Sequence, residues 1–231
     1  PKILWLQDAW YPDLDEAAIA AYEKIVVLSE WHKIAMMEGH QVPEDKLVVI
    51  PNFLLEKHFA GPGPVRDSHR FIYASSPDRG LINLLKLWPK IRELYPDAAL
   101  DIYYGFEGAK KLAATGQIGW VQSYRALRRE YEGLRYQEGV REWGRVNPGE
   151  IAQAFRRSAV WAYPTLFRET FCTNAVEARA AGCVPVTTPI AALVESAKCP
   201  QTRYVPVSEG ADPLDAAWRD RFLAAIVEAV N

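Results

Sequence analysis

Two carboxylates, Glu169 and Glu177, are separated by seven residues at the start of a predicted helix. Their segment, 167–182, follows an apolar run. In open α/β sheets, ligands bind beyond the carboxyl ends of the strands, and the unpaired amides of a helix start favour an anion. The segment could therefore hold a diphosphate, with the carboxylates accepting hydrogen bonds from ribose or sugar hydroxyls. Two exposed carboxylates at a helix terminus are the commoner explanation, and the spacing alone favours it.

A second loop, residues 73–81, also joins a predicted strand to a predicted helix. Ser75, Ser76 and Gly80 suit a close approach to phosphate, and Arg79 supplies a guanidinium for it. A Pro-Asp turn with a surface arginine explains the same residues. Neither GxGxxG nor GxxxxGK[ST] occurs, so dinucleotide and P-loop sites have no motif support.

The elements that would position these loops alternate in type along the chain, which predicts parallel strands joined by helices that cover both faces of the sheet. The predicted strands are 3–6, 25–28, 47–50, 71–74, 100–104, 139–143, 160–163, 183–186 and 203–205. The predicted helices are 15–22, 30–39, 81–94, 148–157, 173–181 and 212–230, with 106–138 mostly helical and 60–69 a loop. We expect about six strands in one sheet over 70–210 and two or so in a separate sheet over 1–50.

The composition of the 231 residues is that of an ordinary globular protein. A net charge of -2 gives no global positive field for nucleic acid or anionic lipid. Three cysteines without CxxC spacing favour a reducing compartment, and the four histidines lack metal-ligand spacing, so no metal site is predicted. Because the first residue is proline, we expect the chain to be a fragment.

The Glu169–Gly182 stretch resembles the E-x7-E motif of the GT-B retaining glycosyltransferases, in particular those similar to glycosyltransferase family 4. Tyr163-Pro164-Thr165 before the motif and Val184-Pro185-Val186 after it are also similar to that family, as is 140–146 with Gly144. Residues 29–33 and 47–52 resemble the end of the family's N-terminal domain and the crossing between its domains.

The resemblance implies an α/β fold with a Rossmann-like doubly wound parallel sheet, the C-terminal half of a GT-B fold. It assigns Glu169 to the donor sugar as the catalytic residue and Glu177 to the ribose. It places Arg79 as the phosphate-binding cation and the amides of Cys172 and Thr173 as diphosphate donors. The remaining donor-binding residues that it implies are Ser75, Ser76, Gly80, Arg141, Thr170 and Phe171.

The chain departs from the family at three positions. Ala74 stands where the family often has an arginine, which weakens phosphate binding unless Ser75 or Ser76 compensates. Cys172 replaces a common glycine, and Phe53 replaces the glycine that usually follows Pro-Asn.

The resemblance implies three segments. Residues 1–52 would be the end of an N-terminal acceptor domain with the crossover, 53–211 the nucleotide-sugar-binding domain, and 212–231 a C-terminal helix. The expected reaction is retaining transfer of a hexosyl group from a UDP- or GDP-linked sugar to an unknown acceptor, without a cofactor. The rest of the N-terminal domain is expected in cis or in trans. We expect a cytoplasmic protein, with peripheral membrane association left open.

Two other functions stay open at this point. A nucleotide-sugar epimerase uses the same fold, and a non-catalytic module could bind the sugar nucleotide without transferring the sugar. Product analysis with labelled UDP- and GDP-sugars separates them.

Overall fold

A computed structural model describes residues 1–208, 212 and 214–231. The strands are β1 Ile3–Trp5, β2 Lys24–Val27, β3 Leu47–Val49, β4 Asp67–Tyr73, β5 Ala99–Tyr103, β6 Val140–Gly144, β7 Ser158–Tyr163, β8 Val184–Thr187 and β9 Arg203–Tyr204. The helices are α1 Glu16–Ala20, α2 Glu30–His40, α3 Leu81–Leu94, α4 Glu107–Ala114, α5 Ile118–Leu134, α6 Pro148–Arg157, α7 Thr173–Ala181, α8 Leu193–Ser196 and α9 Ala216–Val230.

The chain divides into two compact units that exchange segments. The first contains Pro1–Leu54, Arg168–Val176 and Ile190–Lys198. The second contains Leu55–Phe167, Glu177–Pro189 and Cys199–Asn231. The helix α7 therefore begins in the first unit and ends in the second.

The first unit is built on a three-stranded parallel sheet in the order β1-β2-β3. Its core holds Ile25, Val27 and Met36, all fully buried. Ser29 caps α2, because its hydroxyl oxygen accepts a hydrogen bond from the amide of His32 at 3.0 Å. The sequence had predicted two or so strands here, and the structure has three.

The second unit is built on a six-stranded parallel sheet in the order β6-β5-β4-β7-β8-β9. The chain moves outward from β4 to β5 and β6, then returns to β7 on the other side of β4 and moves outward again. Because parallel crossovers are right-handed, the reversal places helices on both faces. This is the predicted Rossmann-like, doubly wound arrangement, with its switch point between β4 and β7.

The core of the second unit follows from its central strands. Phe71, Ile72 and Tyr73 of β4 are fully buried, as is the run Val160–Tyr163 of β7, as expected for strands covered on both faces. The helix α3 contributes its apolar side, including Trp88, whose indole N–H donates to the carbonyl of Glu138 at 2.8 Å. The core thus fixes the strand ends from which the loops of residues 74–80 and 164–167 start.

Two elements described here, α9 and β4, begin at residues other than those predicted. The helix α9 begins at Ala216 and not at 212, because Asp215 caps it by accepting from the amide of Trp218 at 2.7 Å. Residues 106–138 are mostly helical, as predicted, and form two helices with a break at Thr115–Gln117. The strand β4 begins at Asp67, inside the predicted loop 60–69.

The proposed segment bounds at 52 and 212 remain predictions, and residue 211, the predicted end of the second segment, lies outside the described residues. Among the described residues, no helix is both long and apolar enough to cross a membrane.

Candidate functional site

The loops that follow β4 and β7 are in close contact at the switch point. Gly80 has φ +111°, and a Cβ at this position would collide with the carbonyl oxygen of Pro164 and lie 3.2 Å from the Cα of Thr165. The side-chain amide of Asn83 donates to the same carbonyl oxygen at 3.0 Å. A glycine is therefore required here, both for the left-handed backbone and for the close approach.

Arg79 lies in this crevice, directly before Gly80. Its guanidinium carbon is 4.0 Å from the centroid of the Phe167 ring, within the range of a cation–π interaction. Its amide donates to the carbonyl of Ser76 at 3.0 Å, which closes the turn that starts α3. The cation is thus held by the loops of both central strands.

The two serines of the β4 loop differ in their surroundings. Ser75 is buried, and its hydroxyl lies 3.3 Å from that of Tyr163 on β7. The carbonyl of Ser76 accepts from the hydroxyl of Tyr73 at 2.8 Å, while the residue itself is half-buried and lines a cavity. Ser76 is therefore the better placed of the two for contact with a ligand.

A cavity of about 410 Å³ opens beside this loop, between it and the helices α4 and α5. Its size lies within the range of small-molecule sites, and its walls are mainly apolar and aromatic. Its polar and aromatic lining includes Ser76, Asp78, Arg79, Tyr104, Trp120 and Tyr124. One cation and one carboxylate in an aromatic enclosure suit a planar, charged ligand.

The sequence analysis missed two residues at this edge. Tyr104, which follows β5, has φ +86°, an uncommon backbone conformation for a bulky residue and one found at functional sites. Arg145, which follows β6, holds its guanidinium carbon 4.7 Å from the centroid of the Tyr104 ring. Their positions at or just beyond the ends of predicted strands were a signal in the sequence, but only the strand order brings them together.

Glu177 is the fifth residue of α7, in the part that belongs to the second unit. Burial raises the pKa of its carboxyl to about 7, because the charged form loses hydration. Hydrogen-bond donors next to such a carboxyl would stabilise its charged form. Such perturbed groups are enriched at functional sites.

Glu169, in the first unit, is buried, with 6% of its surface exposed. Its backbone carbonyl accepts from the amide of Ala192 at 3.1 Å. The hydroxyl of Thr170 donates to the carbonyl of Gln7 at 2.7 Å, and its own carbonyl accepts from Ser29 at 2.8 Å. The segment that carries Glu169 is thus tied to the loop that follows β1 and to the residue that caps α2.

The predicted diphosphate donors at the start of α7 have different environments. The amide of Cys172 donates to the hydroxyl of Ser196 at 3.1 Å, so it has an acceptor within the protein. Thr173, the first residue of α7, is exposed, and Phe171 is half-buried. Of the two residues, Thr173 is the exposed one.

Arg141 is not brought to the switch point. It is the second residue of β6, in register with Asp101, and β6 is the edge strand two positions away from β4. Its exposed side chain starts far from the carboxyl end of the strand, where Arg145 lies. Among the described residues, no group of three or more His, Cys, Asp or Glu side chains could hold a metal ion.

A sequence profile described as "Glycosyl transferases group 1" matches residues 70–217, which is more than half of the chain. No curated protein matches the sequence significantly.

Solved structures with the same fold include three that contain UDP or a UDP-sugar. A mutant of S. aureus TarM, in complex with fondaparinux, alpha-GlcNAc-glycerol and UDP, is 12% identical with a TM-score of 0.68, covering 99% of this chain and 45% of that one. The pneumococcal O-GlcNAc transferase GtfA, with UDP and GlcNAc, is 13% identical with a TM-score of 0.63, covering 99% and 44%. Anabaena HepE, with UDP-glucose, is 14% identical with a TM-score of 0.64, covering 100% and 64%.

These likenesses establish the GT-B type of fold. The chain spans less than half the length of TarM and GtfA and 64% of the length of HepE.

Proposed function

Because this chain belongs to the group 1 glycosyl transferases, we propose that it forms the donor-binding half of a retaining glycosyltransferase. The whole enzyme would move a hexosyl group from a nucleoside diphosphate sugar to an acceptor. The neighbours of known structure support a sugar nucleotide as the donor, since their complexes contain UDP or UDP-glucose.

The observation that carries the proposal is the placement of Arg79. It is a cation at the switch point of a doubly wound sheet, braced by Phe167 and followed by Gly80, whose lack of a side chain lets the two loops meet. Ligands of such sheets bind in that crevice, and a guanidinium matches the oxygens of a diphosphate. The adjoining cavity has room for the nucleoside that the diphosphate carries.

The remaining donor contacts follow the family resemblance. Glu177 would accept hydrogen bonds from the ribose hydroxyls, whose donors would stabilise the charged form of its desolvated carboxyl. Glu169 would contact the sugar, and the amide of the exposed residue Thr173 would contact the diphosphate. Ser76 would contribute a hydroxyl from the β4 loop.

In the proposed reaction the bond between the anomeric carbon and the diphosphate oxygen breaks, and its electron pair leaves with the diphosphate. The acceptor oxygen forms its bond on the same face of the sugar, and its proton passes to the departing phosphate. In this reaction the chain would stabilise the negative charge that develops on the leaving diphosphate, through Arg79 and the backbone donors. We propose that it does so without a cofactor.

Titration calorimetry of the chain with UDP and with GDP tests the proposal. Arg79→Ala should weaken the better ligand by roughly 1.5–3 kcal/mol, or about 10- to 150-fold, the cost of losing a hydrogen bond to a charged group. Arg129→Ala, an exposed arginine on α5, is the matched control and should leave the affinity unchanged. Equal affinities for wild type and Arg79→Ala would remove the basis of the proposal.

The two carboxylates can be told apart in the complete enzyme. Glu177→Ala should weaken the free nucleoside diphosphate, because the ribose is present in both donor and product. Glu169→Ala should leave that affinity nearly intact and mainly reduce transfer, because the lost contact is felt at the reacting sugar. If both variants keep full affinity and full turnover, the two assignments are wrong. Detection of an epimerised donor in place of a glycosylated acceptor would favour the epimerase.

A further inference from the structure

We propose that the tip of the α4–α5 hairpin, residues 110–125, binds the surface of a membrane that contains anionic lipid. The helices α4 and α5 pack against each other and are joined at Thr115–Gln117. The inference goes beyond the proposed function, and it rests on the apolar and charged side chains that this tip presents to solvent.

The tip exposes large apolar side chains next to the turn. Ile118 is 74% exposed, Trp120 47% and Leu112 45%. Tryptophan and aliphatic residues at the end of a protrusion suit the boundary between lipid headgroups and acyl chains. Exposure of three such residues within nine positions is costly in water and is relieved when they enter that boundary.

Basic side chains flank this apolar end. Lys110, Lys111, Arg125 and Arg129 are exposed, and none forms an ion pair within the described part of the chain. Arg128, in contrast, is bound to Glu132 at 2.6 Å. The whole hairpin, residues 107–134, holds five basic and three acidic residues, whereas its tip, residues 110–125, holds three basic residues and no acidic one, in a chain whose net charge is -2. Positive charge is therefore concentrated at the tip.

Along α5, the apolar and the basic side chains are spaced so that the first can reach the acyl chains while the second stay at the level of the lipid phosphates. Ile118, Arg125 and Arg129 lie at i, i+7 and i+11, which is one side of a helix. Since the rise is about 1.5 Å per residue, Arg125 lies roughly 10 Å along the axis from Ile118. Interfacial helices bury their apolar groups about 5–10 Å deep. The isoleucine can then reach below the headgroups while the arginines meet the lipid phosphates.

A nucleic acid or an acidic protein would also be attracted by the cations. The apolar residues at the tip favour lipid, since neither polyanion needs Ile118. Leu112 and Trp120 also line the cavity described above, whereas Ile118, Lys111 and Arg125 do not. Variants of these last three residues therefore test the surface without altering the cavity.

The test is cosedimentation of the chain with sucrose-loaded vesicles, without nucleotide. The wild type should bind vesicles of phosphatidylcholine and phosphatidylglycerol in equal parts, and should bind pure phosphatidylcholine much more weakly. Binding should fall at about 0.5 M NaCl, because salt screens the charges. The double variant Lys111→Ala/Arg125→Ala should bind about 25-fold more weakly, or about fivefold for each cation removed.

Ile118→Ser should weaken binding at both lipid compositions, because it removes the apolar contact. The control, Lys57→Ala/Val65→Ser, changes an exposed lysine and a 93% exposed valine elsewhere in the same unit and should bind as the wild type does. Melting temperatures equal to that of the wild type show that each variant is folded.

Three results would overturn the proposal. They are an absence of wild-type binding to the anionic vesicles at low salt, equal binding by the hairpin variants and the control, and binding to heparin with no effect of Ile118→Ser on either ligand. Because nucleotide is absent from the assay, each of these leaves the donor-binding proposal standing.

Discussion

The carboxyl of Glu177 should make the fold less stable as the pH rises, and Glu177→Gln should remove this effect. Burial raises the pKa of the carboxyl from 4.5 to about 7. Glutamine has nearly the same shape and keeps hydrogen-bonding capacity, but it does not ionise. The substitution therefore isolates the cost of burying a charge.

The sign of the effect follows from the two pKa values. The stabilisation from the neutral folded-state carboxyl is fully present below pH 4.5 and is lost as the pH rises through about 7. The difference between 4.5 and about 7 corresponds to an upper limit of roughly 3 kcal/mol. Because the side chain keeps some contact with water, we expect Glu177→Gln to be more stable than the wild type by ~1–2 kcal/mol at pH 8.

Urea denaturation at about pH 4.5 and pH 8 measures this difference. The gain from Glu177→Gln should be present at the higher pH and small at the lower one. Glu93→Gln, at an exposed position of α3, is the control and should change stability little at either pH. Parallel pH dependences for the wild type and Glu177→Gln would refute the reasoning.

The same carboxyl couples pH to ligand binding if it accepts hydrogen bonds from the ribose. With a pKa of about 7, roughly a tenth of the carboxyl is ionised at pH 6 and most of it at pH 8. The affinity for UDP or GDP should then rise about tenfold over this range. Calorimetry of Glu177→Gln should find no such rise, and a rise of equal size in the variant would assign it to another group.

Three further substitutions test the scaffold by urea denaturation. Gly80→Ala should cost more than about 2 kcal/mol, since it adds a collision with the carbonyl of Pro164 to a strained φ of +111°; a loss under 0.5 kcal/mol would mean that the loops separate easily. Asp101→Ala should cost about 1.5–3 kcal/mol, because the fully buried carboxylate accepts hydrogen bonds from Arg70 at 2.8 Å and from the Trp143 indole at 2.7 Å, and a near-neutral result would contradict this. Ser29→Ala should cost ~1–2 kcal/mol through loss of the cap on α2, and an unchanged midpoint would show that the cap is dispensable.

The sequence predicted the second unit's sheet and several helix bounds because its local signals agree. The helices Leu81–Leu94, Pro148–Arg157 and Thr173–Ala181 begin and end as predicted. Asn147 illustrates the reason, since its side chain and that of Glu150 form a reciprocal cap at the start of α6. At α9 the predicted start, residue 212, lies four positions before the observed one, and only the coordinates identify Asp215 as the capping residue.

Less of the candidate site could be predicted from the sequence. Arg79 and Gly80 were found because strand, loop and helix are consecutive in the chain. Tyr104 and Arg145 are separated by forty residues, and their contact depends on β5 and β6 being neighbours, which no local pattern specifies. The cavity was missed because residues 106–138 were taken as one mostly helical stretch, although Gly116, with φ +77°, marks the break between α4 and α5.

The pairing of β4 with β7 also has a consequence for how the chain acquires its shape. Asp67 lies in register with Ser158, so the ladder that borders the crevice joins residues about ninety positions apart. Closing so long a loop costs conformational entropy, and the contact therefore forms slowly. In contrast, β4, α3 and β5 are close in sequence. We therefore expect β4 to assemble with β5 before it meets β7. During synthesis, the chain gains its crevice only after residue 163 has emerged from the ribosome.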